Sequence, residues 1–453
     1  MDRRDKYGPE MIFIATALII FSVLFFGSVE VWSTALFEAG FLSLFMIRLI
    51  LREKPEASAE LVNEGRRKRE SRIYLALAGI LFYAAIQTAP MPSQILKMIS
   101  PRVFDLYSYY AVDKNPSMHI SLYAYKTQVE FLRLLACSLC FTLFATGIKD
   151  ARDLDRVLRT LAYFGFGLAV FSLLQTAAWN GKLYWFREIT GSSPFGPFVN
   201  RNHYAGLIGL LIPLSLGLAF TRKSRERQLL FGFMGLIMSV SLFLSLSRGG
   251  IISFFAGLAL FTLLLSWNKL GVKKRRWWPL AAFIFILFSY LLYLGIDPVI
   301  DRFYKTDISK EARFAVWAET LRVFKDFYLT GCGLGTFVYV FPLYSPEAVT
   351  SIYDHAHNDY LEFILEAGIT GVVLLLTFLF FLFNCIFGGT REGYGGIIRI
   401  SMLSAISTMA VHSIFDFNLH IPSNALMLSA ILGMALANSR MGAEISNEAA
   451  APE

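Results

Sequence analysis

The sequence predicts an all-α membrane protein with about twelve transmembrane helices, and three observations predict it. Hydrophobic residues make up 55% of the 453, and Asp, Glu, Lys and Arg only 17%, against roughly 45–50% and about 25% in soluble proteins. Apolar runs long enough to cross about 30 Å of hydrocarbon recur along the chain. Basic residues gather in the short connections between those runs, as the positive-inside rule expects. Too little polar surface remains to coat a water-soluble globule, so residues 1–453 read as a single polytopic membrane domain.

The expected spans are 11–27, 33–51, 73–90, 127–147, 157–178, 204–220, 229–246, 249–266, 277–296, 361–385, 398–416 and 423–438. The first is long and lacks a small-residue cleavage site, so it reads as an anchor. Twelve spans place both termini on one side. The connections on that side, with the termini and the flanking Arg159 and Arg399, carry roughly 26 of the 42 Lys and Arg, so it is expected to be cytoplasmic. The opposite, outer side receives a loop at 91–126, a large loop at 297–360 expected to be catalytic, and a shorter one at 179–203.

The net charge of +8 does not signal nucleic acid. The basic clusters, such as Arg66-Arg67-Lys68-Arg69 and Lys273-Lys274-Arg275-Arg276, sit beside apolar spans. The four cysteines form no disulfide framework. Cys137-x-x-Cys140 lacks the second half of a zinc or redox site and reads as two small apolar residues in a helix.

Five of the six histidines fall in or beside outer segments, so any chemistry is expected there. The densest stretch runs from Tyr353 to Gly368, where the large loop meets a span. It holds His355 and His357 with Asp354, Asp359, Glu362 and Glu366. Buried charges are costly unless paired, and imidazole titrates near neutrality, so either histidine suits a general base. A zinc site and a satisfied interfacial cap are the other readings, although a third strong zinc ligand at the right spacing is not evident. Ser247-Arg248-Gly249-Gly250 forms a tight turn whose guanidinium and accessible N–H groups suit phosphate, or a lipid headgroup. Asn200-Arg201-Asn202-His203 is a dense donor set for sugar or phosphate, or a polar helix cap.

Two further stretches complete the outer face. Glu311 to Trp317 reads as a short amphipathic helix, and Gly331-Cys332-Gly333-Leu334-Gly335 as a tight turn rather than a nucleotide site. His412 to Pro422 brings His412, Asp416 and His420 to the end of the eleventh span. Glu130 and Arg133, inside a span, are expected to find partners.

His357-Asn358-Asp359-Tyr360-Leu361, followed by Glu366-Ala367-Gly368, resembles the signature of the O-antigen ligase and O-antigen polymerase superfamily of bacterial membrane glycosyltransferases. The Asn200 to Gly206 stretch, Ser-Arg-Gly, Arg313 to Trp317 and the glycine-rich turn fit the same pattern. Together they span about half the chain, and the N-terminal half fits by topology alone.

The resemblance implies transfer of a glycan from undecaprenyl diphosphate, without nucleotide sugar, metal or other cofactor, to a lipid or glycan acceptor. It implies His357 as the essential base, Arg248 and Arg313 as the diphosphate-binding pair, and Arg201 as a further basic position. Asp354 or Glu366 is expected to orient the imidazole. Asn358, His355, Asn202 and His203 are expected in support. The rival reading is a transporter, a flippase or an accessory protein of polysaccharide export. Transporters place their sites near the midplane, often between inverted repeats, and the sequence shows neither.

Overall fold

The computed structural model describes residues 8–51, 64–111, 117–189, 193–267, 289, 307–344, 353–389 and 392–448. The protein is an all-α membrane protein. Nine described helices are long and apolar enough to span a bilayer, and Gly8–Leu24 (α1) is a shorter apolar helix. In chain order come Val31–Leu51 (α2), Glu64–Thr88 (α3), Ser93–Ile99 (α4), Pro101–Tyr110 (α5), Ala124–Gly147 (α6) and Ala151–Ala177 (α7). Arg201–Thr221 (α8), Arg225–Leu244 (α9), Arg248–Trp267 (α10), Asp307–Phe324 (α11) and Phe337–Val340 (α12) follow. Asp359–Phe387 (α13), Gly393–His412 (α14) and Pro422–Glu448 (α15) close the bundle. The expected span at 277–296 lies outside the described residues, apart from residue 289.

Local chemistry explains where several helices begin. The side chains of Asp150, Asn200, Ser224 and Asn358 each accept a hydrogen bond from backbone N–H groups in the next turn, meeting donors that a helix start leaves free. α8 is the central element, walled by α7, α9, α10, α14 and α15, with every residue from His203 to Phe220 buried. The outer faces instead expose large apolar side chains such as Phe13, Val31, Leu75 and Phe380, the pattern of a surface solvated by lipid rather than water.

The regions expected as loops at 91–126 and 297–360 hold structure of their own. α4, α5, α11 and α12 share a second apolar core, with Leu96, Val103, Ile120, Val316, Phe327 and Phe341 fully or nearly buried in it. They form a cap over one end of the bundle. Segments this long seldom stay irregular within a compact unit.

α13 ties cap to bundle. It breaks at Gly368, whose φ of 64° and ψ of −175° are not helical. The 29 residues of α13 would extend about 43 Å if unbroken, more than the roughly 30 Å of hydrocarbon. The break therefore separates a spanning portion from a short segment, 359–367, at the capped end. The glycine-rich turn plugs the break: Cys332 N donates to Leu365 O (3.1 Å), Gly333 N to Glu366 O (3.0 Å) and Ile369 N to Tyr328 O (2.8 Å). A Cβ at Gly331 would stand 2.1 Å from Glu366 O, so glycine is the residue that permits this approach.

Candidate active site

The site forms where 353–366, the start of α8, the start of α10, α11 and the stretch 412–420 converge at the capped end. Its centre is His357, held in a left-handed conformation (φ 51°) that a non-glycine residue seldom adopts. His357 Nδ1 lies 3.2 Å from Asp416 Oδ1. The imidazole is one-third exposed and the carboxylate almost wholly buried, at 34% and 1%. Asp416 also accepts from Phe417 N at 2.9 Å and from the Asn202 side-chain amide. Burial alone would raise its pKa. The His357 hydrogen bond and the nearby His203 and His412 outweigh burial and hold Asp416 well below the usual carboxylate range. An ionised carboxylate only accepts, so His357 carries its hydrogen on Nδ1 and leaves Nε2 free as a base.

This geometry corrects one expectation. The carboxylate facing His357 is Asp416, not Asp354 or Glu366. Asp354 is exposed. Glu366 is buried and accepts from Phe337 N at 2.9 Å, so it fastens the glycine-rich turn to α13.

A second acid–imidazole network adjoins the first. His355 Nδ1 lies 2.7 Å from Glu362 Oε1, while Glu362 Oε2 accepts from Ala356 N at 2.9 Å. His420 bridges two carboxylates, with Nδ1 at 3.0 Å from Asp359 Oδ1 and Nε2 at 3.3 Å from Glu362 Oε1. Burial would lower the pKa of His420, but Glu362 and Asp359 outweigh it and raise it to about 10. Phe417 separates the two networks, stacking on His355 at 4.0 Å and meeting His357 edge-on at 5.0 Å and His203 at 4.8 Å. Trp317 Nε1 donates to Ala356 O at 3.0 Å and so fixes the His-x-His stretch to α11.

The donor atoms of His355, Glu362 and His420 lie within 4.8 Å of one another, a composition that suits a divalent metal. The same atoms already satisfy one another through hydrogen bonds. Cys332 is no candidate nucleophile, because burial and the neighbouring Glu366 push its thiol well above its ordinary pKa.

Arg248 opens α10 after Leu246 takes a left-handed turn (φ 55°). The Ser247 hydroxyl accepts from Gly250 N at 3.2 Å. A Cβ on Gly249 would stand 3.0 Å from Phe415 and 3.1 Å from His412, so this turn lies directly on 412–416. Arg313 reaches the same strip, donating from Nη1 to Phe415 O at 3.3 Å, the residue on which Gly249, next to Arg248, also packs. Among the described residues no carboxylate pairs with either guanidinium. Two like charges brought together this way suit an anion with several oxygens.

Arg201, at the first turn of α8, is half-buried and gives its backbone N–H to Ser193 O at 2.8 Å. Asn202 joins the site through Asp416, and Asn358 caps α13. His203 is buried, with Nε2 unpartnered among the described residues. Glu130 and Arg133 pair at 3.1 Å. Asp416, Glu362, Asp359, His420 and Phe417 were not assigned roles from sequence. For Asp416 and His420 the signal was the recurrence of polar residues at 412, 416 and 420, four apart beyond an apolar run.

Residues 233–376, about a third of the chain, match the family model described as O-antigen ligase. Arg248, Arg313, His357 and Glu366 lie inside that match, whereas Arg201, Asn202, Asp416 and His420 lie outside it. Over that stretch the chain is similar to the superfamily that its motifs resemble. No curated protein matches the chain.

Proposed function

With an O-antigen ligase domain at 233–376 as the premise, we propose that this protein is an inverting, metal-independent glycosyltransferase. It moves a glycan from undecaprenyl diphosphate to an acceptor hydroxyl at the outer face of the bacterial inner membrane, with both termini in the cytoplasm. The product is O-antigen ligated to a lipid core, or a longer surface polysaccharide.

The observation that carries this reading is the His357–Asp416 pair beside two arginines that no carboxylate among the described residues pairs. In the reaction His357 Nε2 takes the acceptor proton, a step worth about 10²–10⁴-fold. The freed oxygen attacks the anomeric carbon on the face opposite the diphosphate, which inverts that centre. As the glycosidic carbon–oxygen bond breaks, its electron pair passes to the diphosphate. Arg248 and Arg313, with Arg201 nearby, offset the growing charge. Asp416 keeps the hydrogen on Nδ1 and stabilises the imidazolium once formed. The in-span residues that a transport path could use are Glu38, Glu130 and Arg133; of these Glu130 and Arg133 pair with each other at 3.1 Å near the capped end.

The test is transfer by purified protein in detergent, from an undecaprenyl-diphosphate glycan and with EDTA present. Wild type should make product, while His357→Ala and Arg248→Ala should make none although they fold. Product size separates ligation from polymerisation. Activity in His357→Ala, or dependence of the wild type on added metal, would falsify the mechanism.

A further inference from the structure

Proton transfer through His357 and Asp416 leaves the adjoining network of His355, Glu362 and His420 without a task. Its members come from three parts of the chain: His355 precedes α13, Glu362 lies in the first turn of α13, and His420 ends the strip 412–420. Glu362 Oε1 stands 2.7 Å from His355 Nδ1 and 3.3 Å from His420 Nε2, and the ligand atoms of the three residues all lie within 4.8 Å of one another. Two donors on one tetrahedral zinc, each at about 2.0–2.1 Å from it, are about 3.3 Å apart. The set is therefore close to the spacing that an ion needs.

Two features separate this cluster from a chance meeting of polar side chains. The far sides of its ligands are held: His420 Nδ1 lies 3.0 Å from Asp359 Oδ1, and Ala356 N donates to Glu362 Oε2 at 2.9 Å. Partners of this kind orient metal-binding imidazoles and carboxylates. The cluster also has an entrance, because the His355 side chain is 28% exposed while that of Glu362 is 1% exposed.

We propose that His355, Glu362 and His420 form an accessory zinc site, with water in the fourth position. Imidazole ligands select zinc over calcium and magnesium, which take oxygen sets. The ion replaces the hydrogens that His355 and His420 share with Glu362, and those protons pass to solvent. Once bound, it clasps the His-x-His stretch, α13 and the strip to one another. Neither His357 nor Asp416 is a ligand, and Phe417 stands between the two imidazoles of the His-x-His stretch. The ion thus steadies the frame of the site and takes no part in the proton transfer.

The test uses the full chain in detergent without an affinity tag, stripped with EDTA and then dialysed against micromolar zinc or calcium. Wild type should retain a single zinc ion per chain by plasma mass spectrometry, and should melt several degrees higher with zinc than with calcium. His355→Ala and, as an independent removal, His420→Gln should lose both the ion and the shift, while His357→Ala keeps both. X-ray absorption at the zinc edge of the wild type needs no variant and should show two imidazole ligands. Any of four results would overturn the proposal: no zinc retained, retention undiminished in His355→Ala or lost in His357→Ala, an equal shift with calcium, or a zinc spectrum without imidazole. All of these are read without substrate, so they stand or fall apart from the glycosyl-transfer reading.

Discussion

Both ends of the bundle bury charge, but with different chemistry. At the end opposite the cap, Arg440 grips Glu70 with two N–H groups at 2.9 and 2.8 Å, and Arg66 joins at 3.1 Å. Nearby Asp155 takes Arg222, Arg159 at 2.9 Å and the Tyr394 hydroxyl at 3.1 Å. These cations cannot lose a proton in a protein, and their carboxylates are filled. At the capped end Asp416, Asp359 and Glu362 face imidazoles, Glu362 meeting ring nitrogens of both His355 and His420. The first arrangement fastens helices together. The second holds imidazoles in place, and His357 keeps one ring nitrogen outside its pair with Asp416.

If that contrast holds, substitutions at the two ends should fail differently. The largest effect belongs to Asp416→Asn, which keeps the shape but loses the charge that sets the His357 tautomer. Turnover should fall about 10²–10⁴-fold with the melting temperature nearly unchanged; equal turnover would break the dyad. Glu70→Ala should do the reverse. It strands Arg440 and costs about 3–5 kcal/mol of stability, while the folded fraction keeps its turnover, as thermal unfolding beside an active-fraction assay would show.

Gly368→Ala should cost about 1–3 kcal/mol through its left-handed backbone. Because its Cβ would stand 2.5 Å from Gly331 N, it should also loosen the cap, seen as faster hydrogen exchange at 328–336. Equal exchange would separate the break from the cap.

A further effect is one of pH. The pKa of His420 is raised to about 10, above its unfolded value near 6.5. Its contribution to stability is complete below about pH 6.5 and is lost as pH rises through about 10. Melting followed from pH 8 to 11 should show a step that His420→Gln removes and Glu70→Ala retains.

Much of the fold was legible because spanning helices must satisfy their backbone internally and show lipid an apolar face. Eleven of the expected spans coincide with described helices, and the remaining one falls on residues not described. The cap was harder to read. Ser93–Ile99 and Pro101–Tyr110 are too short and too mixed for periodicity to separate them from loop, and they gain their apolar partners only by folding onto α11 and α12.

In the site, the His355–His357 stretch and Arg248 stood out as expensive polar residues at apolar boundaries, while the choice of His357 and of Arg313 came from the family resemblance. Asp416 was visible as a residue but not as a partner, because its contact with His357 spans 59 positions of sequence. Glu366 misled for the complementary reason. It is close to His357 in sequence, but its side chain follows the α13 helix away to Phe337.

The strip 412–420 also bears on how the protein is made. Synthesis runs from the N-terminus, and the arginines, the His-x-His stretch and the glycine-rich turn all emerge before it. Until α14 and the strip have been delivered, His357 lacks its carboxylate and Glu362 lacks His420. A nascent chain therefore lacks the His357–Asp416 pair until its last described helices enter the bundle.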